Sequence, residues 1–144
     1  MVTLELLATQ YNFKLTELRK DILDVLLKIK KPLKAYDLLE HVKKIRPNAK
    51  PPTVYRVLDF LVNKGVLHRL DKHNAYALCQ LDHSHDIGQT DIDILLVCKM
   101  CMGVTELSDR VLTALIDKIQ EERSMIIDSK QIELQCICKS CAAH

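Results

Sequence analysis

Five of the six cysteines lie between residues 98 and 141, and four of them form two CxxC pairs. The pairs are Cys98 with Cys101 and Cys138 with Cys141. Two residues between thiolates let both sulfurs of one turn reach a metal at about 2.3 Å, and two such turns complete a tetrahedron. Four thiolates leave no open coordination position, so the pattern predicts a structural zinc site. Cys136 could replace Cys138 in this site, although the CxxC spacing favours Cys138.

A second group of side chains has the mixed chemistry of another metal site. It consists of His68, Cys79, His83, His85 and Glu106. Imidazole, thiolate and carboxylate together suit Zn²⁺ better than Mg²⁺ or Ca²⁺. Such a site would connect a predicted hairpin, the loop after it and the C-terminal part of the chain. The alternative is that the cysteine packs in a core and that the HSHD stretch is solvated.

The sequence argues against several functional classes. A catalytic zinc needs an open position and a nearby general base, as in deaminases with HxE and PCxxC motifs, and neither motif occurs here. We therefore expect no enzyme. No run of about 18 apolar residues is present, and the N-terminus lacks the features of a secretory signal. We expect a cytoplasmic protein that does not enter a membrane.

The elements before residue 80 have the order of a winged helix-turn-helix. Apolar residues at steps of three or four predict a short helix over residues 2–10 and three longer helices that begin near Leu15, Tyr36 and Pro51. Two short apolar strands, 66–70 and 75–79, then flank a polar turn and predict a hairpin. In such modules the helix before the hairpin lies in the major groove of DNA.

The exposed side of that helix carries residues that can read DNA. With Val54 inward, Thr53, Tyr55 and Arg56 fall largely on the outer side, where arginine can bridge two guanine acceptors or bind phosphate. Tyr36, at the start of the preceding helix, has the same potential. The alternative is that the tyrosines pack against neighbouring helices and that Arg56 is merely solvated.

The remainder of the chain predicts a small α/β domain whose ends are joined by the cysteine pairs. Strands are expected over residues 92–97 and 104–106, followed by a helix with Ser108 as its N-cap. Residues 125–127 and 132–134 are expected to form a further strand or strand pair. The predicted fold class is α+β, with a winged-helix DNA-binding domain at 1–79, a hinge loop at 80–91 and an α/β metal-binding dimerisation domain at 92–144.

Charge divides the chain at the same place. Residues 1–78 contain 15 Lys and Arg against 8 Asp and Glu, whereas residues 79–144 contain 6 against 11. The first part therefore carries a net charge of +7 and the second −5. A basic part joined to an acidic part indicates that the first meets a polyanion such as DNA.

Three sequence stretches closely resemble the ferric uptake regulator family, and within it the zinc uptake regulator branch. They are KPPTVYRVLDFL at 50–61, GVLH at 65–68 and YALC at 76–79, and the paired CxxC motifs follow in the matching order. The resemblance extends from Leu15 to Cys141. It implies a homodimer that binds AT-rich inverted-repeat double-stranded DNA when zinc fills a regulatory site, and so represses zinc-uptake genes.

The resemblance also implies roles for particular residues. It implies two Zn²⁺ ions per subunit and contact of Tyr36 and Arg56 with DNA, with Arg56 reading a purine. The structural zinc ligands would be Cys98, Cys101, Cys138 and Cys141, and three of the four regulatory ligands would be His68, Cys79 and Glu106.

The fourth regulatory ligand departs from the family pattern. The branch usually has a histidine a few residues before the first CxxC pair, whereas residues 88–93 here read GQTDID. We expect His85 to supply the ligand, with His83 as the alternative. The iron, nickel and peroxide sensors of the family are competing assignments, which the cysteine ligand and the position of Glu106 disfavour. A thiol-redox switch is a further alternative.

Overall fold

The computed structural model describes residues 3–79, 91–128 and 131–143. It divides into two units, Met1–Cys79 and Gln80–His144, and each is described by itself. His83 and His85 lie outside the described residues.

The first unit contains four helices and a small sheet. The helices are α1 (Leu4–Gln10), α2 (Glu17–Ile29), α3 (Ala35–Ile45) and α4 (Pro51–Asn63), and the strands are β1 (Leu33–Lys34), β2 (Leu67–Leu70) and β3 (Ala75–Leu78). The order of three long helices followed by a hairpin is that of a winged helix-turn-helix. The predicted fold of this half is confirmed.

The local chemistry of the helix ends explains where α2 begins and ends. The Thr16 hydroxyl accepts a hydrogen bond from the Arg19 N–H, so the helix begins at Glu17 and not near Leu15 as predicted. Lys30 takes up a left-handed conformation with φ 57°, and its N–H donates to the Leu26 carbonyl. The helix therefore ends one turn before it would meet Pro32.

One buried face from each of the three long helices forms the core of the first unit. Each side chain of this set is at most 2% exposed, as expected for apolar residues spaced three or four positions apart. They are Ile22, Leu23, Leu26, Leu38, Val42, Val54, Leu58 and Leu61. This core holds α4 by its inner side and leaves its opposite side exposed.

The hairpin carries a third strand that was not predicted from the sequence. β3 is the middle strand, antiparallel to β2 on one side and to β1 on the other. The Ala35 N–H donates to the Asn74 carbonyl, so the start of α3 is joined to the hairpin turn. A strand of two residues has no periodicity of its own, which is why no pattern predicts β1.

The second unit is a three-stranded sheet with one long helix. Its elements are β4 (Asp93–Cys98), β5 (Val104–Ser108), α5 (Arg110–Arg123), β6 (Gln131–Cys136) and the short α6 (Lys139–Ala142). β4 is the middle strand, antiparallel to β5 and parallel to β6. A parallel pair needs a crossover connection, and α5 lies within it.

Two predictions for this unit are wrong in detail. The N-cap of α5 is Asp109 and not Ser108, because the Asp109 carboxylate accepts from the Leu112 N–H at 2.9 Å while Ser108 remains paired in β5. Residues 125–127 follow the left-handed Ser124 and form no strand. The apolar residues at 125–127 predicted a strand, but no strand within the described residues pairs with them.

The helix α5 buries none of its described residues. Val111 is 80% exposed, and Leu115 and Ile119 are also exposed although they share a face of the helix. The buried residues of this unit are few and come mainly from β4. Within the described parts of both units, no helix is long and apolar enough to cross a membrane.

We expect Asp109→Ala to lower the free energy of unfolding by about 1 kcal/mol, because the substitution removes an N-cap acceptor. Ser108→Ala is the matched control and should change it by less than about 0.5 kcal/mol. Urea unfolding of the metal-loaded protein, followed by circular dichroism, measures both. Equal losses in the two variants would contradict the assignment of the cap.

Candidate metal centres and nucleic-acid interface

The two cysteine pairs converge at one end of the sheet in the second unit. Cys98 ends β4, Cys101 lies in the turn after it, and Cys138 and Cys141 lie at the start of α6 and within it. The four sulfur atoms all lie within 4.8 Å of one another, and the Sγ atoms of Cys101 and Cys138 are 3.8 Å apart.

This spacing can be tested against the requirements of zinc. Sulfurs bound at about 2.3 Å at the corners of a tetrahedron lie about 3.8 Å apart. The separation of Cys101 and Cys138 matches this value. The donor set, four thiols with no carboxylate or imidazole among them, is that of a structural zinc site. The residues therefore fit a four-coordinate zinc ion.

Backbone hydrogen bonds build the turn that presents the first pair. The Cys98 N–H donates to the Gly103 carbonyl, and the Met102 N–H donates to the Cys98 carbonyl. Met102 has φ 62°, which closes the turn tightly. A Cβ at Gly103 would lie 3.2 Å from the Cys101 sulfur, so a side chain there would press on the thiol.

The second pair is carried to the first by strand pairing. β6 runs parallel to β4 with Cys136 opposite Cys98, and the Lys99 N–H donates to the Cys136 carbonyl at 3.0 Å. The Cys138 N–H then donates to the Cys98 sulfur at 3.4 Å. The centre is therefore assembled by the sheet register.

These contacts separate the pKa values of the cysteines. Hydrogen bonds from the backbone of Cys138 and then Cys101 lower the pKa of Cys98 to about 6. The pKa of Cys141 is raised to about 12, first by its side-chain hydrogen bond with Cys138 and then by burial. Burial, and then the negative charge of Cys98 and its neighbours, raises the pKa of Cys136.

The hairpin of the first unit brings two of the predicted regulatory ligands together. His68 lies on β2 and Cys79 directly follows β3, with ligand atoms within 4.8 Å of each other. The Cys79 N–H donates to the Val66 carbonyl at 2.9 Å, which extends the ladder beyond the last strand residue. His68 is only 7% exposed. A buried imidazole beside a thiol is an N/S pair that suits zinc.

The other predicted regulatory ligands lie elsewhere in the chain. Glu106 is on β5 of the second unit, where it pairs with Leu95 of β4. His85 and its alternative His83 lie outside the described residues. Within the described parts of the first unit, His68 and Cys79 are therefore the ligands that the structure brings together.

The four predicted DNA-binding residues are all exposed in the first unit. Thr53, Tyr55 and Arg56 lie in the first two turns of α4, and Tyr36 is the second residue of α3. Tyr36 is 69% exposed and Tyr55 is 37% exposed. In helix-turn-helix modules the N-terminal residues of the recognition helix contact base edges. The alternative that Tyr36 is packed inward is wrong.

An aromatic and cationic cluster, not predicted from the sequence, fastens the far end of α4. The Arg19 guanidinium lies 3.7 Å from the ring centroid of Phe60, and Phe13 meets the same ring edge-on at 6.0 Å. Lys64 donates to the Asn12 carbonyl at 3.2 Å. These residues are distant in sequence and show no shared periodicity. They hold the chain between α1 and α2 against the recognition helix.

An ion-pair network joins α2 to the end of α3. Arg46, which caps α3, pairs with Asp21 and lies 3.5 Å from Glu17. The Asp21 carboxylate is more buried than that of Glu17, so the contact with Asp21 is less screened by solvent. The network ties the segment that leads into α4 to the first long helix.

A winged helix-turn-helix with an exposed recognition helix, together with a separate unit that carries a four-thiol metal centre, defines a metal-binding winged-helix protein. The pattern of the ferric uptake regulator family matches residues 10–135. The chain belongs to the ferric uptake regulator family.

Relatives and solved structures refine this similarity. The zinc uptake regulation protein of Escherichia coli K12 is 30% identical over 137 residues, which cover 95% of this chain and 78% of the relative. The ferric uptake regulation protein of Neisseria meningitidis serogroup B is 32% identical over 95 residues, or 63% of this chain and 59% of that protein.

Solved structures of zinc and iron regulators are similar to this chain over most of its length, and the two zinc regulators each cover 96% of it. A zinc uptake regulator complexed with zinc and DNA has a TM-score of 0.83 and 29% identity, with 90% of that chain covered. The crystal structure of holo XcZur has a TM-score of 0.79 and 30% identity, with 93% of that chain covered. The ferric uptake regulator of Francisella tularensis with iron has a TM-score of 0.56 and 26% identity over 90% of this chain and 95% of that one.

We expect binding of Zn²⁺ to the four-cysteine centre to release protons, because the thiols must ionise to bind. At pH 8 the release includes the proton of Cys141, whose pKa is about 12, but not that of Cys98, whose pKa is about 6. Below pH 6 Cys98 becomes protonated, so the release rises towards about one further proton per ion.

Calorimetric titration in buffers of different ionisation enthalpy counts these protons. A Cys79→Ser background confines the signal to the second unit. A release that does not rise between pH 8 and pH 5.5 would contradict a low pKa at Cys98.

Proposed function

We propose that this protein is a zinc-responsive transcriptional repressor that acts as a dimer on the operators of zinc-uptake genes. The observation that carries the proposal is the similarity, over 96% of the chain, to a zinc uptake regulator complexed with zinc and DNA. The TM-scores of 0.83 and 0.79 with the two zinc regulators are higher than the score of 0.56 with the iron-bound regulator, which supports zinc as the signal. The proposed role includes no catalytic step and belongs in the cytoplasm, where the DNA lies.

The first proposed zinc ion is structural. Cys98, Cys101, Cys138 and Cys141 would hold it, and their mutual spacing within 4.8 Å supports this set. When bound, zinc would join the turn after β4 to the start of α6 through four bonds to sulfur. The four thiols leave no coordination position for an exchanging ligand, so this ion would stay bound while cellular zinc varies.

The second proposed zinc ion is regulatory. His68, Cys79, Glu106 and His85 would hold it, with His83 as the alternative to His85. The proximity of the His68 and Cys79 ligand atoms supports half of this set, and the family resemblance supports Glu106. These ligands come from the hairpin, from the loop at 80–91 and from β5. Ligation by all four would therefore restrict the DNA-binding domain at 1–79 relative to the domain at 92–144.

Restriction of the two domains gives a mechanism for control. The recognition helices of two subunits enter successive major grooves only when their spacing is about 34–36 Å. A ligand shifts such an equilibrium only through its different affinity for the two states. Zinc held by the four proposed regulatory ligands would favour the state in which the two recognition helices have this spacing. In that state the dimer fits an AT-rich inverted repeat.

On the DNA, Tyr36, Thr53, Tyr55 and Arg56 would make the contacts. The exposure of all four supports the proposal. Arg56 can bind a purine edge with two hydrogen bonds, while the tyrosines can contact a thymine methyl or a phosphate. The excess of positive charge over residues 1–78 would add the sequence-independent part of the affinity.

The α5 face is the proposed dimer surface. Val111, Leu115 and Ile119 lie one helical turn apart and are 80%, 51% and 37% exposed. Met125 and Ile126, directly after the helix, are also exposed. Apolar surface of this kind marks an interaction site, and a second copy would cover it by twofold symmetry.

We expect operator binding to appear only as free Zn²⁺ rises. Fluorescence anisotropy of a labelled inverted-repeat duplex from a zinc-uptake promoter, titrated with protein at buffered free zinc, measures this dependence. In Cys79→Ser the protein should remain a folded dimer, but its binding should no longer respond to zinc. The same titration with Fe²⁺ tests the iron assignment, and binding gated by Fe²⁺ alone would overturn the zinc proposal.

We expect Arg56→Ala to weaken operator binding by about 1–3 kcal/mol, because a bidentate base contact is lost. Arg123→Ala removes the same charge from the end of α5 and serves as the control. Binding of both variants to operator and to random duplexes is compared at one salt concentration. Equal losses on the two duplexes would show that Arg56 contacts only phosphate.

A further inference from the structure

Cys136, the last residue of β6, has no role in the proposed function although it lies beside the four-thiol centre. It is in register with the ligand Cys98 across the parallel pair β4 and β6. Residues directly opposite one another on neighbouring strands project their side chains from the same face of the sheet. Cys136 and Cys98 therefore share a face at the end where the centre lies.

The chain from Cys136 to Cys138 keeps both thiols on this side. Cys138 is extended, with φ −68° and ψ 162°, and alternate residues of an extended chain project to the same side. Ile137 between them is 49% exposed, whereas both cysteines are half-buried. The Cys138 N–H donates to the Cys98 sulfur, which fixes the direction of this segment over the first ligand.

Cys136 is adjacent to the centre but is not one of its four members. The sulfurs that lie within 4.8 Å of one another in the described residues are those of Cys98, Cys101, Cys138 and Cys141. A tetrahedral zinc site takes four ligands, so a fifth thiol stays outside while the others are bound. Cys136 lies two residues before Cys138 and on the same side of the extended chain, so its thiol is positioned to take the place of the Cys138 thiol.

We propose that Cys136 is a replacement ligand for Cys138, so that the centre keeps four sulfur ligands when Cys138 is lost or modified. This inference rests on the four-thiol zinc site of the proposed function. When Cys138 is replaced or its sulfur is capped, the Cys136 thiol would release its proton to solvent and bind as a thiolate in the place of the Cys138 thiolate. The number of ligands and the total charge are unchanged.

Zinc content measured after desalting tests the proposal with the full chain. Cys138→Ser should keep as much zinc as the unaltered protein, whereas Cys138→Ser combined with Cys136→Ser should lose one ion per chain. Cys136→Ser alone should keep its zinc, because the original ligands remain. Loss of the ion from Cys138→Ser itself would overturn the proposal, as would its retention by the double variant.

Alkylation of the zinc-loaded proteins, with mass-spectrometric mapping of each cysteine, identifies the replacement directly. Bound thiolates are protected from the reagent, so labelling of Cys136 should slow by about tenfold or more in Cys138→Ser. Cys101→Ser is the matched control, because Cys101 comes from the turn after β4, and labelling of Cys136 should not slow there.

The labelling pattern also separates two kinds of failure. If zinc protects none of the four ligands in the unaltered protein, the structural site itself is wrong and this inference falls with it. If the four ligands are protected but Cys136 is labelled equally fast in Cys138→Ser and in the unaltered protein, only the replacement role is overturned. Slowing in Cys101→Ser as well would overturn the specific pairing with Cys138.

Discussion

Four thiols that lie within 4.8 Å of one another are the constraint on which the second unit depends. Their ionised forms repel, and backbone hydrogen bonds relieve this repulsion at Cys98. A shared cation removes it, and structural zinc contributes on the order of 10 kcal/mol to folding near neutral pH. Among the described residues of this unit few are buried and none of these lies in α5, so apolar packing there does little to hold the ends of the unit together.

The first unit is stabilised in a different way, by a hydrophobic core. Three helices each contribute a fully buried face, and the aromatic and cationic cluster around Phe60 fastens the far end of the recognition helix. A DNA-reading surface needs this rigidity, because base contacts depend on side chains held at fixed positions. A metal that controls DNA binding would therefore change the position of this unit as a rigid body. It would leave the internal structure of the unit unchanged.

The sequence predicts those features that depend on local spacing. The apolar period of α2, α3 and α4 and the two-residue spacing of each CxxC pair are local, and the structure has the predicted three-helix core and brings the four sulfurs together. β1 and the aromatic and cationic cluster depend on contacts between residues that are distant in sequence. The periodicity of apolar residues does not indicate such contacts. The apolar face of α5 has the same sequence pattern as a core helix, so its exposure could not be predicted. The choice between His83 and His85 depends on a loop without periodicity.

The two proposed metal sites differ in a way that follows from where their ligands come from. Cys98 at the end of β4 and Cys138 at the start of α6 are brought together by one sheet register, and Cys101 and Cys141 follow each of them within three residues, so the site is complete once the sheet forms. The proposed regulatory ligands come from three separate segments, of which only the hairpin ligands His68 and Cys79 are held together by strand pairing. Closing that site would fix three segments in one relative arrangement, and the conformational entropy lost in doing so lowers its affinity. The weaker site is then the one whose occupancy changes with the concentration of free metal, as a sensor requires.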